Sequence, residues 1–217
     1  MAAADSWKFI IKGRQAHGST PWDSIDPIMV AFQIGNNLQT IVSRKLNLTA
    51  SPAVISVGSI HGGVRSNIIP DIVEMEGTIR TFDPAMRAKI LVEMRNIAES
   101  TAEMAGATVE VLLPNGANYP VTFNDVDLTA RVLPSLKRIV GEDMVYRSEL
   151  TMGAEDFSFF SQQVPGFYFF LGVNKPGADP LTTPGNHSPL FTIDDDALPV
   201  GVKALTYMTI EYLNGEL

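Results

Sequence analysis

Two periods of apolar and polar residues alternate along the first half of the chain. Trp7-Lys-Phe-Ile-Ile-Lys12 has the spacing of a strand, and Gly13 ends it. A loop-like stretch follows from Gly13 to Asp26. Asp26-Pro27 then supplies an N-cap and a proline at the first helical position. Ile28, Ala31, Phe32, Leu38, Ile41 and Val42 carry helical spacing to about Arg44. Ala53-Val-Ile-Ser-Val57 predicts a second strand, His61-Gly-Gly-Val-Arg-Ser-Asn67 a glycine-rich turn, and Asp71 to Phe82 a long strand. In that strand Ile72, Glu74, Glu76, Thr78 and Arg80 share one side, and Val73, Met75 and Ile79 the other. One face is therefore solvated and one buried. Asp83-Pro84 opens a second helix, which runs to about Ala105 and closes at Gly106. Thr108-Val-Glu-Val-Leu-Leu113 is a fourth strand. This order predicts a ferredoxin-like split βαβ sheet over residues 7–117, with both helices on one face.

Pro114-Asn-Gly-Ala-Asn118 reads as a linker, and a different pattern follows over residues 118–217. Helical spacing runs from Asn124 to about Ile139, with Pro134 expected to kink or restart it. A short helix is expected from Asp156 to about Gln163. Phe167-Tyr-Phe-Phe-Leu171 is a continuous apolar run, the pattern of a strand buried on both faces. Residues 172–193 read as loop, and a last amphipathic helix spans Asp194 to about Leu213, with aspartates favouring its N-terminus. One buried strand does not make a sheet. The segment therefore reads as the C-terminal part of a larger α/β domain.

The composition is globular: of 217 residues, 45% are hydrophobic and 18% charged. The net charge of −8 makes nucleic acid and anionic membranes poor partners. No cysteine is present, which excludes disulfides, thiolate metal sites and cysteine nucleophiles. No apolar run reaches the roughly 18 residues of a membrane span, and the N-terminus lacks the regions of a signal peptide. A cytoplasmic protein is the expectation.

Chemistry concentrates in a few loops. The three histidines are His17, His61 and His187. Each lies among Gly, Ser or Pro, where functional groups are commonly displayed and where a solvated histidine is equally at home. His187 could ligate a metal or act as a base. Met152-Gly-Ala-Glu-Asp-Phe157 places Glu155 and Asp156 at a helix start, either as caps or with one carboxylate facing a site. Arg14, His17 and Ser19 offer donors to an anion or a developing oxyanion. Arg65 and Asn67, beside Gly62-Gly63, form a second donor-rich turn suited to a carboxylate. Arg80 is a further substrate-binding candidate, with a solvated arginine as its alternative. No phosphate loop, nucleophile elbow or dinucleotide fingerprint is present.

Four segments together resemble one family. They are Gly13-Arg-Gln-Ala-His-Gly-Ser-Thr-Pro21, Gly62-Gly-Val-Arg-Ser-Asn-Ile-Ile-Pro-Asp71, Met152-Gly-Ala-Glu-Asp-Phe157 and Asn186-His-Ser-Pro189. Their order and spacing are similar to the metal-dependent amidohydrolases of the aminoacylase and carboxypeptidase superfamily. The nearest branch contains hippurate hydrolases, N-acyl-amino-acid amidohydrolases and indoleacetyl-amino-acid hydrolases. The resemblance implies a zinc-peptidase-like catalytic domain interrupted by a ferredoxin-like lid that also forms a homodimer. It implies that His17 reaches the partner subunit's active site and stabilises the oxyanion, that Asn67 contacts substrate, and that His187 is a metal ligand. Glu155 falls in a motif near the site and is a catalytic candidate. The family's N-terminal half, with the other ligands of a divalent zinc or manganese and the general base, has no counterpart here. Three readings stay open: an incomplete and inactive portion of such a hydrolase, a dimerisation or small-molecule-binding module, and one half of a split enzyme whose N-terminal half is a separate polypeptide.

Overall fold

Alternate residues of the first strand are buried to completion, and this sets the layering of the N-terminal unit. In the computed structural model, which describes residues 1–179 and 181–217, strand β1 spans Ala3–Lys12. Trp7, Phe9 and Ile11 are inaccessible to solvent, while Ser6, Lys8 and Ile10 between them are only partly covered. The other strands are β2 (Ala16–His17), β3 (Ala53–Gly62), β4 (Ile68–Ile69), β5 (Ile72–Thr81), β6 (Thr108–Leu112) and β7 (Asn118–Tyr119). The main sheet has the order β3-β5-β1-β6, with β7 also on β1, and every pairing is antiparallel. This is the expected split βαβ arrangement. The structure starts β1 four residues earlier than the alternation suggested. Ala3 and Ala4 carry no size contrast to mark a strand, yet they pair with Thr81 and Arg80.

Helices α1 (Pro27–Thr40) and α2 (Pro84–Met104) close the core against one face. Both start as their Asp-Pro pairs predict: Ile28 N–H donates to Asp26 Oδ1 at 2.9 Å and Met86 N–H to Asp83 Oδ1 at 2.6 Å. After Thr40 the chain winds as a π-helical turn over Ile41–Lys45, so the expected helix end at Arg44 falls in a wider coil. Ile34, Leu38 and Ile41 from this arm, and Ile90, Met94 and Ala98 from α2, meet Trp7, Phe9, Met75 and Ile79 from the sheet. Each fully buried side chain of this size is worth about 1.5–3 kcal/mol.

Gly77 decides how the largest core residue fits. It pairs with Trp7 on one side and Val57 on the other. A Cβ there would fall 1.9 Å from the Ser56 carbonyl oxygen and 2.5 Å from the Trp7 ring. The indole therefore lies over a position of β5 that has no side chain. Beside it, β3 bulges between Val57 and Ser59, where Gly58 is the extra residue.

The expected linker 114–118 belongs to the sheet instead. Asn115 N–H donates to Ser6 O, Ser6 N–H to Ala117 O, and Asn118 pairs with Asp5. The backbone of β1 ahead of β6 would otherwise be left unpaired. Thr151 O and Gly153 O, in turn, both accept from Ala2 N–H at 3.0 Å. The first compact unit accordingly comprises residues 1–122 and 150–159, and the second residues 123–149 and 160–217.

The second unit is small. Helix α3 (Val126–Val140) runs on through Pro134, and α5 (Ala197–Leu213) packs on it through Val132, Leu136, Ala204 and Met208. Ser135 and Arg138 both donate to Glu211 across this pair, which holds the Glu211 carboxyl below its ordinary range. Helix α4 (Phe157–Ser161) spans the boundary between the units. The strand expected at Phe167–Leu171 is not formed, and Phe170 is exposed. The Asn124 side chain binds this segment, accepting from Tyr168 N–H and donating to Tyr168 O at 2.8 Å each. Among the described residues of this unit no strand is present to pair with it. Pro180, inside the expected loop 172–193, lies outside the described residues.

One charge pair ties β1 to α2. Asp5 is 1% exposed and accepts from Arg87 Nε at 2.8 Å and Nη2 at 2.6 Å. The hydrogen bond to Asp5 raises the Arg87 guanidinium pKa further. Asp5→Ala is expected to destabilise the protein by about 3–5 kcal/mol, because it leaves the guanidinium without its partner. Chemical denaturation of both proteins measures this, and a loss under 1 kcal/mol would show that the pair is not a structural tie.

Candidate functional site

The loop leaving β1 folds back on itself before it reaches His17. A Cβ at Gly13 would lie 2.0 Å from the Ile25 carbonyl oxygen, so only glycine allows the closure. Arg14 and Ile25 then exchange backbone hydrogen bonds, and Arg14 Nε donates to Asp23 O at 3.0 Å. Arg14 thus braces the loop through Nε, whereas the sequence reading offered it to an anion.

The braced loop presents His17 on β2. His17 pairs with Ile68 and Ala16 with Ile69 of β4, and Gly18 N–H donates to Asn67 O at 2.8 Å. A turn follows in which Thr20 N–H donates to His17 O at 2.9 Å. Within it His17 Nδ1 lies 2.7 Å from Ser19 Oγ and accepts from Ser19 N–H at 3.1 Å. On the facing strand, Ile68 N–H donates to Arg65 O, which closes the turn that carries Arg65 and Asn67. Strand pairing therefore brings His17, Asn67 and Arg65 together, 50 residues apart in sequence from first to second, counting 67 − 17. All three side chains are exposed. Ring N–H, amide and guanidinium groups on neighbouring exposed segments are donors of the kind that bind an oxyanion or a carboxylate.

Arg80 is not part of this cluster. It pairs with Ala4 and Val54 near the start of β1, eight residues back from Lys12. At about 3.3 Å per strand residue, it lies some 26 Å from the end of the sheet that carries His17. The Met152–Phe157 motif belongs with Arg80, since Ala2 N–H binds the carbonyls of Thr151 and Gly153. Glu155 is half-buried in that segment, and its carbonyl accepts from Ser158 N–H at the start of α4. The candidate residues of the first unit thus form two groups at opposite ends of one sheet.

Between the two groups the open face of the sheet carries an ion-pair ladder. Lys8 Nζ lies 2.8 Å from Glu74 and 2.9 Å from Glu76. Hydrogen bonds to the two carboxylates raise the Lys8 pKa, and the Lys8 hydrogen bond lowers that of Glu76. His61 lies opposite Glu74 on the edge strand and is exposed.

His187, in the second unit, is exposed and adopts φ 72°, the only positive φ of a residue other than glycine among the described residues. Histidine is one of the residue types other than glycine that adopt this left-handed region more often than most. Imidazole suits zinc or manganese, yet no three His, Asp or Glu side chains converge to hold an ion among the described residues. A catalytic zinc takes three protein ligands.

Two exposed apolar residues close to His17 and Arg65 in sequence escaped the sequence reading. Trp22 is 76% exposed on the 3₁₀ turn Pro21–Asp23, and Val64 is 99% exposed next to Arg65. Their presence in polar, glycine-rich loops was the available signal.

Comparison with known proteins identifies the family of this sequence. The M20 family's peptidase dimerisation domain matches residues 3–104. Thermostable carboxypeptidase 2 of Saccharolobus solfataricus is 39% identical over 99% of this chain and 53% of its own length. N-acetylcysteine deacetylase of Bacillus subtilis is 36% identical over 97% of this chain and 52% of its own. The crystal structure of a dinuclear metal-binding M20 peptidase from Bacillus subtilis superposes with a TM-score of 0.72 at 30% identity, covering 99% of this chain and 51% of that one. The chain spans about half the length of the curated relatives it matches. Residues 3–104 therefore form an M20 peptidase dimerisation domain, and over nearly its whole length the chain is homologous to part of the M20-family hydrolases.

Proposed function

We propose that the chain supplies the lid and the C-terminal part of a metal-dependent amidohydrolase that cleaves the amide bond of N-acyl amino acids or small peptides. The observation that carries this reading is the pairing of β2 with β4, which brings the backbone of His17 next to the turn that carries Asn67 and Arg65, all three residues being exposed. Attack on an amide carbonyl builds charge on its oxygen, and a positioned N–H there stabilises the transition state more than the ground state. His17 takes this role. Asn67 hydrogen-bonds the amide or carboxylate of the substrate, and Arg65 pairs with its carboxylate.

The two ends of the sheet serve different sites. Some 26 Å of strand separates Arg80 from His17, too far for both to touch one small substrate. His17 and Asn67 act on the active site of a partner subunit in a homodimer, whereas Arg80 and Glu155 act on that of their own chain. A divalent zinc or manganese would supply the polarised water. His187 would be one of its ligands, with the others supplied by the rest of the enzyme.

The dimer forms on the β3 edge and α1. Strand β3 is the outer strand of the sheet, and the outward stripe of α1 carries Met29 and Phe32, 53% and 52% exposed. A second copy of the chain laid against this edge would cover both.

Three measurements test these assignments. Expressed with the complementary half of a family relative, the chain is expected to support hydrolysis of N-acetyl amino acids. There His17→Gln should lower kcat by about 10²–10³ with KM little changed; robust hydrolysis by the purified chain alone would overturn the assignment. After dialysis against zinc and manganese, elemental analysis is expected to find substoichiometric metal that a chelator strips and that His187→Ala lowers further. One or two tightly held ions per chain would mean that a site assembles unaided. Analytical ultracentrifugation is expected to show a dimer whose dissociation constant rises at least tenfold in the Met29→Glu, Phe32→Glu variant. An unchanged dimer would place the interface elsewhere.

A further inference from the structure

A neutral histidine holds one ring proton, and which nitrogen carries it decides which atom can donate. Around His17 the backbone settles that choice. Ser19 N–H donates to Nδ1 at 3.1 Å, and a peptide N–H cannot reverse its role. Nδ1 is therefore an acceptor. The Ser19 hydroxyl, 2.7 Å from the same nitrogen, turns its proton toward it as the second donor. With Nδ1 occupied, the ring proton sits on Nε2, the nitrogen on the far side of the ring.

We propose that Ser19 is the positioning residue of His17, fixing the Nε2–H tautomer and the ring orientation so that the donor faces outward. The local geometry supports this role. Gly18 N–H is bound to Asn67 O at 2.8 Å on one side of the pair, and Thr20 N–H to His17 O at 2.9 Å on the other. Thr20 Oγ1 adds a third tie at 3.3 Å to the same carbonyl. The backbone that carries both Ser19 donors is thus held from both flanks, although the side chains lie at the surface. An exposed imidazole without such ties rotates about two side-chain bonds and samples both tautomers. For a group that must offer one N–H to one developing charge, this freedom is a loss of preorganisation. The catalytic use of the tautomer rests on the oxyanion role of His17 proposed above, whereas the tautomer itself does not.

The experiment is long-range ¹H–¹⁵N correlation on the full chain labelled at its histidine ring nitrogens, with His17→Gln assigning the signals. His17 is expected to show an unprotonated Nδ1 and a protonated Nε2, with an Nε2–H to Nδ1–H ratio several-fold above those of the exposed His61 and His187. Ser19→Ala keeps the backbone donor and removes the hydroxyl, so the ratio should fall about fivefold, the weight of one ordinary hydrogen bond. Ser19→Thr keeps both donors and should restore it. A His17 ratio equal to that of the other two histidines, or one unmoved by Ser19→Ala, overturns the proposal. Because no step of this measurement uses catalysis, the outcome separates from the activity test. An intact Nε2–H tautomer together with an inconsequential His17→Gln would remove the oxyanion role and leave the positioning by Ser19 standing.

Discussion

Strand β1 pairs along its whole length with β5 on one side and with β6 and β7 on the other, and every other feature of the N-terminal unit is referred to it. Its buried face supplies Trp7, Phe9 and Ile11 to the core. Its start is clamped to α2 by the Asp5–Arg87 pair, and its end launches the loop that carries His17. A strand paired for ten residues on one side and for seven on the other cannot slip by one position without turning its apolar face to solvent. That constraint fixes where each end of the sheet presents its functional groups.

The placement of chemistry at the two ends follows from this rigidity. Antiparallel pairing returns the chain to the same end after each excursion, so the β1–β2 loop and the turn before β4 meet. The same logic puts Arg80 opposite Ala4, near the N-terminal backbone that holds the Met152–Phe157 segment. The sheet thus acts as a spacer that holds two groups of polar residues apart.

Backbone hydrogen bonds do most of the aiming. His17 is oriented by the N–H of Ser19 and by strand pairing to Ile68, and the loop behind it by the Arg14–Ile25 exchange. Side chains on exposed loops are imprecise unless their own backbone is tied down. Here the ties are short-range in space, and the residues they unite come from two separate stretches of sequence.

Local rules were enough to read several parts of this molecule from residues alone. The Asp-Pro helix starts, the two-faced alternation of β5 and the strand–helix order are local, because caps, periodicity and turn residues act within a few positions. His17, Asn67, Arg65 and His187 were legible as candidates from loop composition and from the resemblance of four motifs. Other features depended on neighbours distant in sequence. Ala3 and Ala4 joined the sheet because Thr81 and Arg80 were there to pair with them, and residues 114–119 did so because β1 had backbone left open. Phe167–Leu171 had the composition of a strand but met no other strand among the described residues of its unit, since a strand exists only where another backbone meets it. The grouping of His17 with Asn67, and the exclusion of Arg80 from that group, came from antiparallel register. Composition and spacing show which residues can do chemistry, and the paired sheet decided which of them lie near one another.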